Sequence, residues 1–456
     1  MKLTLKRAGT ALFAAGFLAA SIITPVSKAE AQGGLIRDAE IETLLREYVD
    51  PIFKVAGLTP NAVKVYIINA DSLNAFVAGG QRVFIHTGLL TRAKTPNELN
   101  GVLAHETGHI AGAHLAKMGI AMEHASTQSI LSMLLAAAAV AGGAMAGNNA
   151  IASSGQGIMV GGQEMAKRNF LAYVRVQEAS ADQAGAKYLT KTKQSVKGML
   201  DLFGRMANQS LASSLYIDPY LRSHPFELER IRNLERMAKK SPYYNKKDPP
   251  ALVARHKLMQ AKLVGYLTPT QVKNKYPVSD KSVPAYYARA IAAFRSGKMQ
   301  QAVDDLNVLV KTQPKNPYFW ELAGEALLSA GQIDHSIRAY KRAIKYAPNA
   351  GLIRVGYAKA LIAQGNPASA RSALKQLHKA QRTEDNDPML HRHKASAYAK
   401  LGDIPRADLS TAEAYLRGGN IKLAKKKAGQ AKRKLKKGTP QWRRADDILK
   451  ITQSKS

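Results

Sequence analysis

The sequence predicts a mainly α protein with one small β-sheet, its C-terminal part a solenoid of helix pairs. Three observations lead there. Apolar residues recur at three- and four-residue spacing through most of the chain. One short stretch before residue 90 instead alternates on either side of a glycine pair. Beyond residue 283, glycines return at a fixed interval.

The N-terminal end reads as an export signal. Lys2, Lys6 and Arg7 precede an uncharged apolar run from Ala8 to Ile23, and Ala29-Glu30-Ala31 gives a small-x-small cleavage pattern. Residues 1–31 are therefore expected to be a signal peptide cleaved after about Ala31, which places the chain in the periplasm. The competing reading, an uncleaved membrane anchor, is disfavoured because the apolar run is short for a span. The 456 residues contain no cysteine, so any metal must be held by His, Asp or Glu. The net charge of +34 invites polyanions. Export argues against nucleic acid and leaves peripheral contact with an anionic membrane surface.

Residues 37–57 are expected to be helical, with Ile41, Leu44, Leu45, Tyr48 and Val49 on one face. Strands follow at Val63–Ile68, Asn74–Ala78 and Arg82–Ile85, the last two joined through Gly79-Gly80. An exposed strand of this sheet is suited to pair with an extended polypeptide.

The next helix carries His105-Glu106-Thr107-Gly108-His109. Thr95 and Pro96 supply its N-cap and first position, with Glu98 in the first turn. Residues four apart share a helix face, which is the spacing two imidazoles need to grip one Zn²⁺, with Glu106 placed to take a proton from water. The plain alternative is two histidines on a buried helix. Gly108 favours the site, since glycine weakens a helix and implies close approach by another segment. His114 lies five residues past His109, roughly 140° round a continued helix. It is read as a structural or surface histidine.

No charged residue occurs between Ala125 and Gln163. A transmembrane hairpin, a buried helical hairpin and a mobile loop touching membrane or site compete there; for a hairpin of spans the first arm is marginal and the second fails. The last two are preferred, because the second arm is rich in Gly, Ser and Gln. A long helix follows from about Gln163 to Thr190. Its Glu178 is the best third ligand, and Asp182, one turn on, is placed to accept the ring N–H of a ligating histidine. Two solvated helix carboxylates are the alternative, but their neighbours are Ala, Val and Leu. His224 before Pro225 is ordinary loop sequence by itself.

Ser241-Pro242 to Pro249-Pro250 marks a boundary. The expected organisation is 32–240, then a connecting segment 241–282, then repeats over 283–456. Gly297, Gly331 and Gly365 are 34 apart, Gly402 follows after 37, and Pro314 and Pro348 repeat the 34. Trp320, Gly324, Leu327, Tyr340, Ala343 and Pro348 fill one unit at tetratricopeptide spacing. Two repeats are clear and two degenerate. Such stacks present concave surfaces for peptides or partner proteins. The Lys-rich stretch 422–437 is read either as a solvated basic helix or as a lipid site. His391-x-His393 is expected to be an isolated surface pair.

The ordered set His105-Glu106-x-x-His109, Glu178-x-x-Ala181-Asp182 and Ser223-His224-Pro225 with Arg230 resembles the gluzincin peptidases of the HtpX and CAAX-prenyl-protease clan. Asn74-Ala75-Phe76, Gly79-Gly80 and Gly88-Leu89-Leu90 match that clan's strand pair. With a signal peptide and C-terminal repeats, the resemblance narrows to the BepA-like periplasmic metalloproteases. It implies a zincin-like metallopeptidase domain followed by the solenoid. It implies one Zn²⁺ per chain on His105, His109 and Glu178, with Glu106 as base and Asp182 orienting a ligand.

The same resemblance makes His224 a fourth ligand that restrains activity, Arg230 a transition-state stabiliser, and 125–163 a cover over the cleft. Asn74, Ala75 and Phe76 become the strand that aligns substrate. The implied substrates are unfolded or misassembled outer-membrane proteins, with the repeats docking them or the assembly machinery. A periplasmic chaperone or scaffold with little proteolytic activity, or an integral membrane protease, are the alternatives. A serine hydrolase lacks support, since no G-x-S-x-G elbow occurs.

Overall fold

The computed structural model describes residues 34–124, 126, 127, 131, 135, 149–212, 224 and 228–451. The expected signal peptide, most of the uncharged segment after residue 127, Ser223 and Pro225 lie outside the described residues. Among the described residues two compact units are present, one built from residues 34–36 with residues 42–259, the other from Arg37–Ile41 with residues 260–451. The division falls inside the helix Pro250–Leu267, later than the sequence boundary at 240.

In the first unit, α1 (Ala39–Val55) buries Leu44, Leu45, Tyr48, Val49, Ile52 and Phe53 along one stripe. The sheet contains β1 (Leu35–Ile36), β2 (Lys64–Ile68), β3 (Ala75–Ala78) and β4 (Arg82–His86) in the order β1-β2-β4-β3. β2 and β4 are parallel, while β3 and β4 form the expected antiparallel hairpin. The pleat sends Ala75, Val83 and Ile85 into the core. It stacks Tyr66, Phe84 and Phe76 on the other face, with successive ring centroids 5.1 Å apart. β3 is left at the edge, beside the next long helix.

After α2 (Thr87–Arg92) comes α3 (Pro96–Ala111), the helix that carries the histidine pair. Its start follows the sequence expectation: Pro96 takes the first position and Thr95 Oγ1 accepts from the Glu98 amide at 3.1 Å. Arg205 then grips the Glu98 carboxylate at 2.6 and 2.7 Å. Asn97 pins the same end, donating to Ser195 O at 2.8 Å and accepting from Gly198 N at 2.9 Å.

Residues 114–124 form a further helix, α4. Then follow α5 (Asn149–Lys191), α6 (Lys197–Ala212), α7 (Leu228–Lys240) and α8 (Pro250–Leu267). α5 starts earlier than the sequence pattern indicated, at Asn149. α3 packs on α5 and α6, and α7 packs on both of those. Among the described residues no helix is long and apolar enough to cross a membrane.

The second unit stacks α9 (Val283–Arg295), α10 (Met299–Thr312), α11 (Pro317–Ser329), α12 (Ile333–Tyr346) and α13 (Gly351–Ala363). α14 (Pro367–Glu384), α15 (Pro388–Lys400), α16 (Ile404–Arg417), α17 (Ile421–Lys434) and α18 (Pro440–Lys450) continue it. The periodic glycines turn the chain inside each pair, with φ of +72, +73, +85 and +75° at Gly297, Gly331, Gly365 and Gly402. The Lys-rich stretch is α17, which packs a stripe of Ala424, Ala428 and Ala431 inward. Lys427 and Lys432 pair with Asp408 and Asp446 at 2.9 and 2.6 Å. His391 corrects the sequence reading: it is 2% exposed, not a surface residue, and its Nε2 lies 2.7 Å from Asp385 O. That carbonyl accepts from the ring and ties the start of α15 to the loop before it.

Candidate metal centre

The centre forms where α3 crosses α5. The crossing is close because Gly108 faces Ala181: a β-carbon at 108 would stand 2.9 Å from Ala181 O and 3.0 Å from its Cα. His105 and His109 come from α3, and Glu178 and Asp182 from α5 one turn apart. Arg230 comes from the first turn of α7.

His105, His109, Glu178 and His224 each offer one ligand atom, all within 4.8 Å of one another, and all four residues are buried. His105 Nε2 lies 3.0 Å from His109 Nε2 and 3.4 Å from Glu178 Oε2. His109 Nε2 lies 3.3 Å from Glu178 Oε1. His224 Nδ1 is 3.1 Å from both Glu178 oxygens. Phe203 closes one side, edge-on to His105 with centroids 5.5 Å apart.

Around this cluster stands a layer of braces. Asp182 Oδ1 is 2.9 Å from His105 Nδ1. Accepting the Nδ1–H leaves the Nε2 lone pair turned to the cluster. Arg230 donates to Asp182 Oδ2 at 2.8 Å and Oδ1 at 3.0 Å, and pairs with Glu178 Oε2 at 3.0 Å. The resemblance implies a transition-state stabiliser at Arg230. Here it is 6% exposed and engaged with two carboxylates. His114 is likewise buried, and its Nδ1 lies 3.0 Å from His109 Nδ1. A separation of about 140° holds only for a helix that continues. Instead α3 stops at Ala111 and the chain reverses through Gly112 and Ala113.

The surroundings set the two helix imidazoles apart. Burial opposes charge on His105, but Asp182 and Glu178 outweigh it and hold its pKa up at about 9. Burial and then the charge of His105 drive His109 down to about 2. Glu178 is held far below the usual carboxylate range: burial works against this, and hydrogen bonds from His105 and His224 overcome it. Asp182 is lowered against the same burial cost by His105 and Arg230. Burial raises Glu106, with His224 and His105 pulling the other way.

Glu106 supplies the test of fit. Both its oxygens are buried without a hydrogen-bond partner, and His224 Nε2 stands 3.6 Å from Oε1. A buried orphan carboxylate is costly, and here it borders a set of imidazole nitrogens and one carboxylate. That donor chemistry suits a divalent transition cation, so the residues present fit one. Asn74, Ala75 and Phe76 lie on the sheet edge next to α3.

Residues 36–238 match peptidase family M48, and residues 281–410 match the tetratricopeptide domain of cytochrome c-type biogenesis protein H. The chain is 25% identical over 420 residues to the beta-barrel assembly-enhancing protease of Yersinia pestis, which covers 89% of this chain and 82% of that protein. The protein of the same name from Escherichia coli (strain K12) is 24% identical over 426 residues, with the same two coverages. These matches run through both parts of the chain. A shorter match, 28% over 205 residues, joins it to the mitochondrial metalloendopeptidase OMA1 of Bos taurus, covering 44% of this chain and 37% of that protein. Residues 36–238 therefore form a metallopeptidase domain of family M48, and the chain is an enzyme of that class with a C-terminal tetratricopeptide-repeat region.

Proposed function

We propose that the chain is a zinc-dependent endopeptidase acting in the periplasm on unfolded or misassembled outer-membrane proteins. The observation that carries this reading is the buried cluster of His105, His109, Glu178 and His224 around the unpartnered carboxylate of Glu106. The names of the bacterial relatives support the outer-membrane setting.

In this reading His105, His109 and Glu178 hold one Zn²⁺. When bound, it supplies a Lewis acid that polarises a peptide carbonyl and eases deprotonation of water. The other steps belong to the protein. Asp182 keeps the His105 proton on Nδ1. Arg230 braces Glu178 and Asp182, a role its contacts support better than that of oxyanion donor. Glu106 Oε takes a proton from the attacking water and returns it to the leaving amine. His224 restrains the site as a fourth ligand until it is displaced. β3 near Asn74, Ala75 and Phe76 aligns an extended substrate by backbone pairing. The repeats dock clients or the assembly machinery, and the basic surface contacts anionic membrane.

Glu106→Gln tests this directly, because it keeps the shape and removes the base. The purified variant is expected to retain one zinc per chain while casein cleavage falls at least about 100-fold. Cleavage at the wild-type rate would remove Glu106 from the reaction, and wild-type protein without metal would remove the reading.

A further inference from the structure

His105 and His109 come from one face of one helix but are held by different partners. The His105 Nδ1 meets a carboxylate; the His109 Nδ1 meets another imidazole, that of His114, at 3.0 Å. We infer that His114 is the positioning residue of His109: it accepts the His109 Nδ1–H and so fixes the tautomer whose Nε2 lone pair faces Glu178 and His105. This rests on the reading of His105, His109 and Glu178 as cation ligands.

The proton count leaves one arrangement. His109 Nε2 lies 3.0 Å from His105 Nε2 and 3.3 Å from Glu178 Oε1, so Nε2 is the ligating atom and must be bare. The ring proton then sits on Nδ1, and the atom facing it must be a lone pair. His114 therefore keeps its own proton on Nε2. The ring planes are near perpendicular, at 84°, with centroids 5.0 Å apart and the two Nδ1 atoms facing each other.

The backbone is shaped to deliver this ring. α3 ends one residue short of Gly112, and Ala113 takes φ +52°, a region that L-residues rarely adopt. The reversal returns His114 to within reach of a residue five positions earlier. A β-carbon at 112 would overlap the Nε2 end of the His114 ring, so the glycine leaves the imidazole the space it occupies. His114 is 3% exposed, although it opens a helix whose next residues are largely exposed.

The asymmetry has a consequence for binding. A neutral imidazole holds an N–H less firmly than a carboxylate does. His109 is thus the less firmly oriented of the two imidazole ligands, and its orientation depends on one turn of backbone.

The test uses the full chain and two variants. His114→Leu fills the space without an acceptor; His114→Gln keeps a carbonyl oxygen. Zinc affinity is read by competition with a chromophoric chelator, and ligand geometry by the visible spectrum of the Co²⁺-loaded protein. The Leu variant is expected to raise Kd about tenfold or more and shift the Co²⁺ bands. The Gln variant is expected to restore Kd to within about threefold of wild type and return the bands. Equal effects from both variants, or from neither, overturn the inference.

If the Leu variant does not fold, ¹⁵N-histidine spectra of zinc-loaded wild type decide instead. A protonated His109 Nδ1 facing a bare His114 Nδ1 supports the inference, and a protonated His114 Nδ1 overturns it. A wild-type chain that binds neither Zn²⁺ nor Co²⁺ overturns the cation reading and this inference with it. Wild-type binding beside an unaffected Leu variant overturns this inference alone.

Discussion

Arg230 shows how a buried residue braces the centre from behind its carboxylates. Its guanidinium pairs with two buried carboxylates, and removing it would leave them with imidazole partners alone. Arg230→Met is expected to lower the unfolding free energy by about 3–5 kcal/mol, read as a shift in urea midpoint; a loss below about 1 kcal/mol would mean that Glu178 and Asp182 are braced by other means. His256 makes a second residue-scale prediction. Its Nε2 lies 2.8 Å from Ala93 O and its Nδ1 3.1 Å from Tyr48 Oη, so both ring nitrogens are used by the neutral form. Burial lowers its pKa in the fold, partly offset by the bond to Ala93. Above the unfolded value of about 6.5 neither state is charged and the contribution is whole. Below it the unfolded chain takes up a proton that the folded one refuses, and stability declines by up to about 1.4 kcal/mol per pH unit. Wild type should therefore lose more stability than His256→Gln between pH 7 and pH 5.5; parallel profiles would show that this ring is not the titrating group. At this scale the sequence displayed what helical spacing displays: His105, Glu106, His109, Glu178 and Asp182 are legible because each pair sits one turn or less apart. His114 was not, because its position depends on where a helix stops.

At the scale of elements, β3 is the strand that the sheet leaves at its edge beside α3. The His86 amide donates to Asn74 O at 2.9 Å, so Asn74 and His86 form a hydrogen-bonded pair. The register then makes Phe76 and Phe84 the next such pair. Alternation points the N–H and C=O of Val77 away from β4, toward the open edge. Val77→Pro deletes one outward donor while sparing the hairpin ladder. It should reduce kcat/KM on an unfolded substrate by about threefold to tenfold with little change in zinc content. An unchanged kcat/KM would mean that substrate does not pair along this edge. The hairpin was visible in the sequence because alternation and Gly79-Gly80 coincide. β1 was not, since two residues, Leu35–Ile36, have no period to detect. The Lys-rich helix α17 was half visible: its charge is plain, whereas the Ala424, Ala428 and Ala431 stripe that seats it is composed of residues that carry little hydropathy signal.

At the scale of the whole molecule, both units have apolar cores, but the candidate metal ligands all lie in one of them. The repeats of the other are held by apolar helix pairs such as that around Trp320, Leu327 and Tyr340. Metal bound to the native state stabilises only the unit that holds it. Scanning calorimetry with chelator should therefore move one transition to lower temperature and leave the other in place; a joint shift would show the two to be a single cooperative body. The repeat architecture was legible because each pair reuses the same turn, and the glycine that makes the turn recurs with it. The extent of the array was less so, since α17 and α18 lack the Trp and Tyr that mark the clearer units. In the proposed reading, the outward-facing edge at Val77 offers a substrate backbone groups alone. A client whose own amides are already committed has nothing to offer such a strand, whatever its side chains. Proofreading would then fall on whether a chain has finished folding, and the choice of where to cut would be left to chance exposure rather than to spelling.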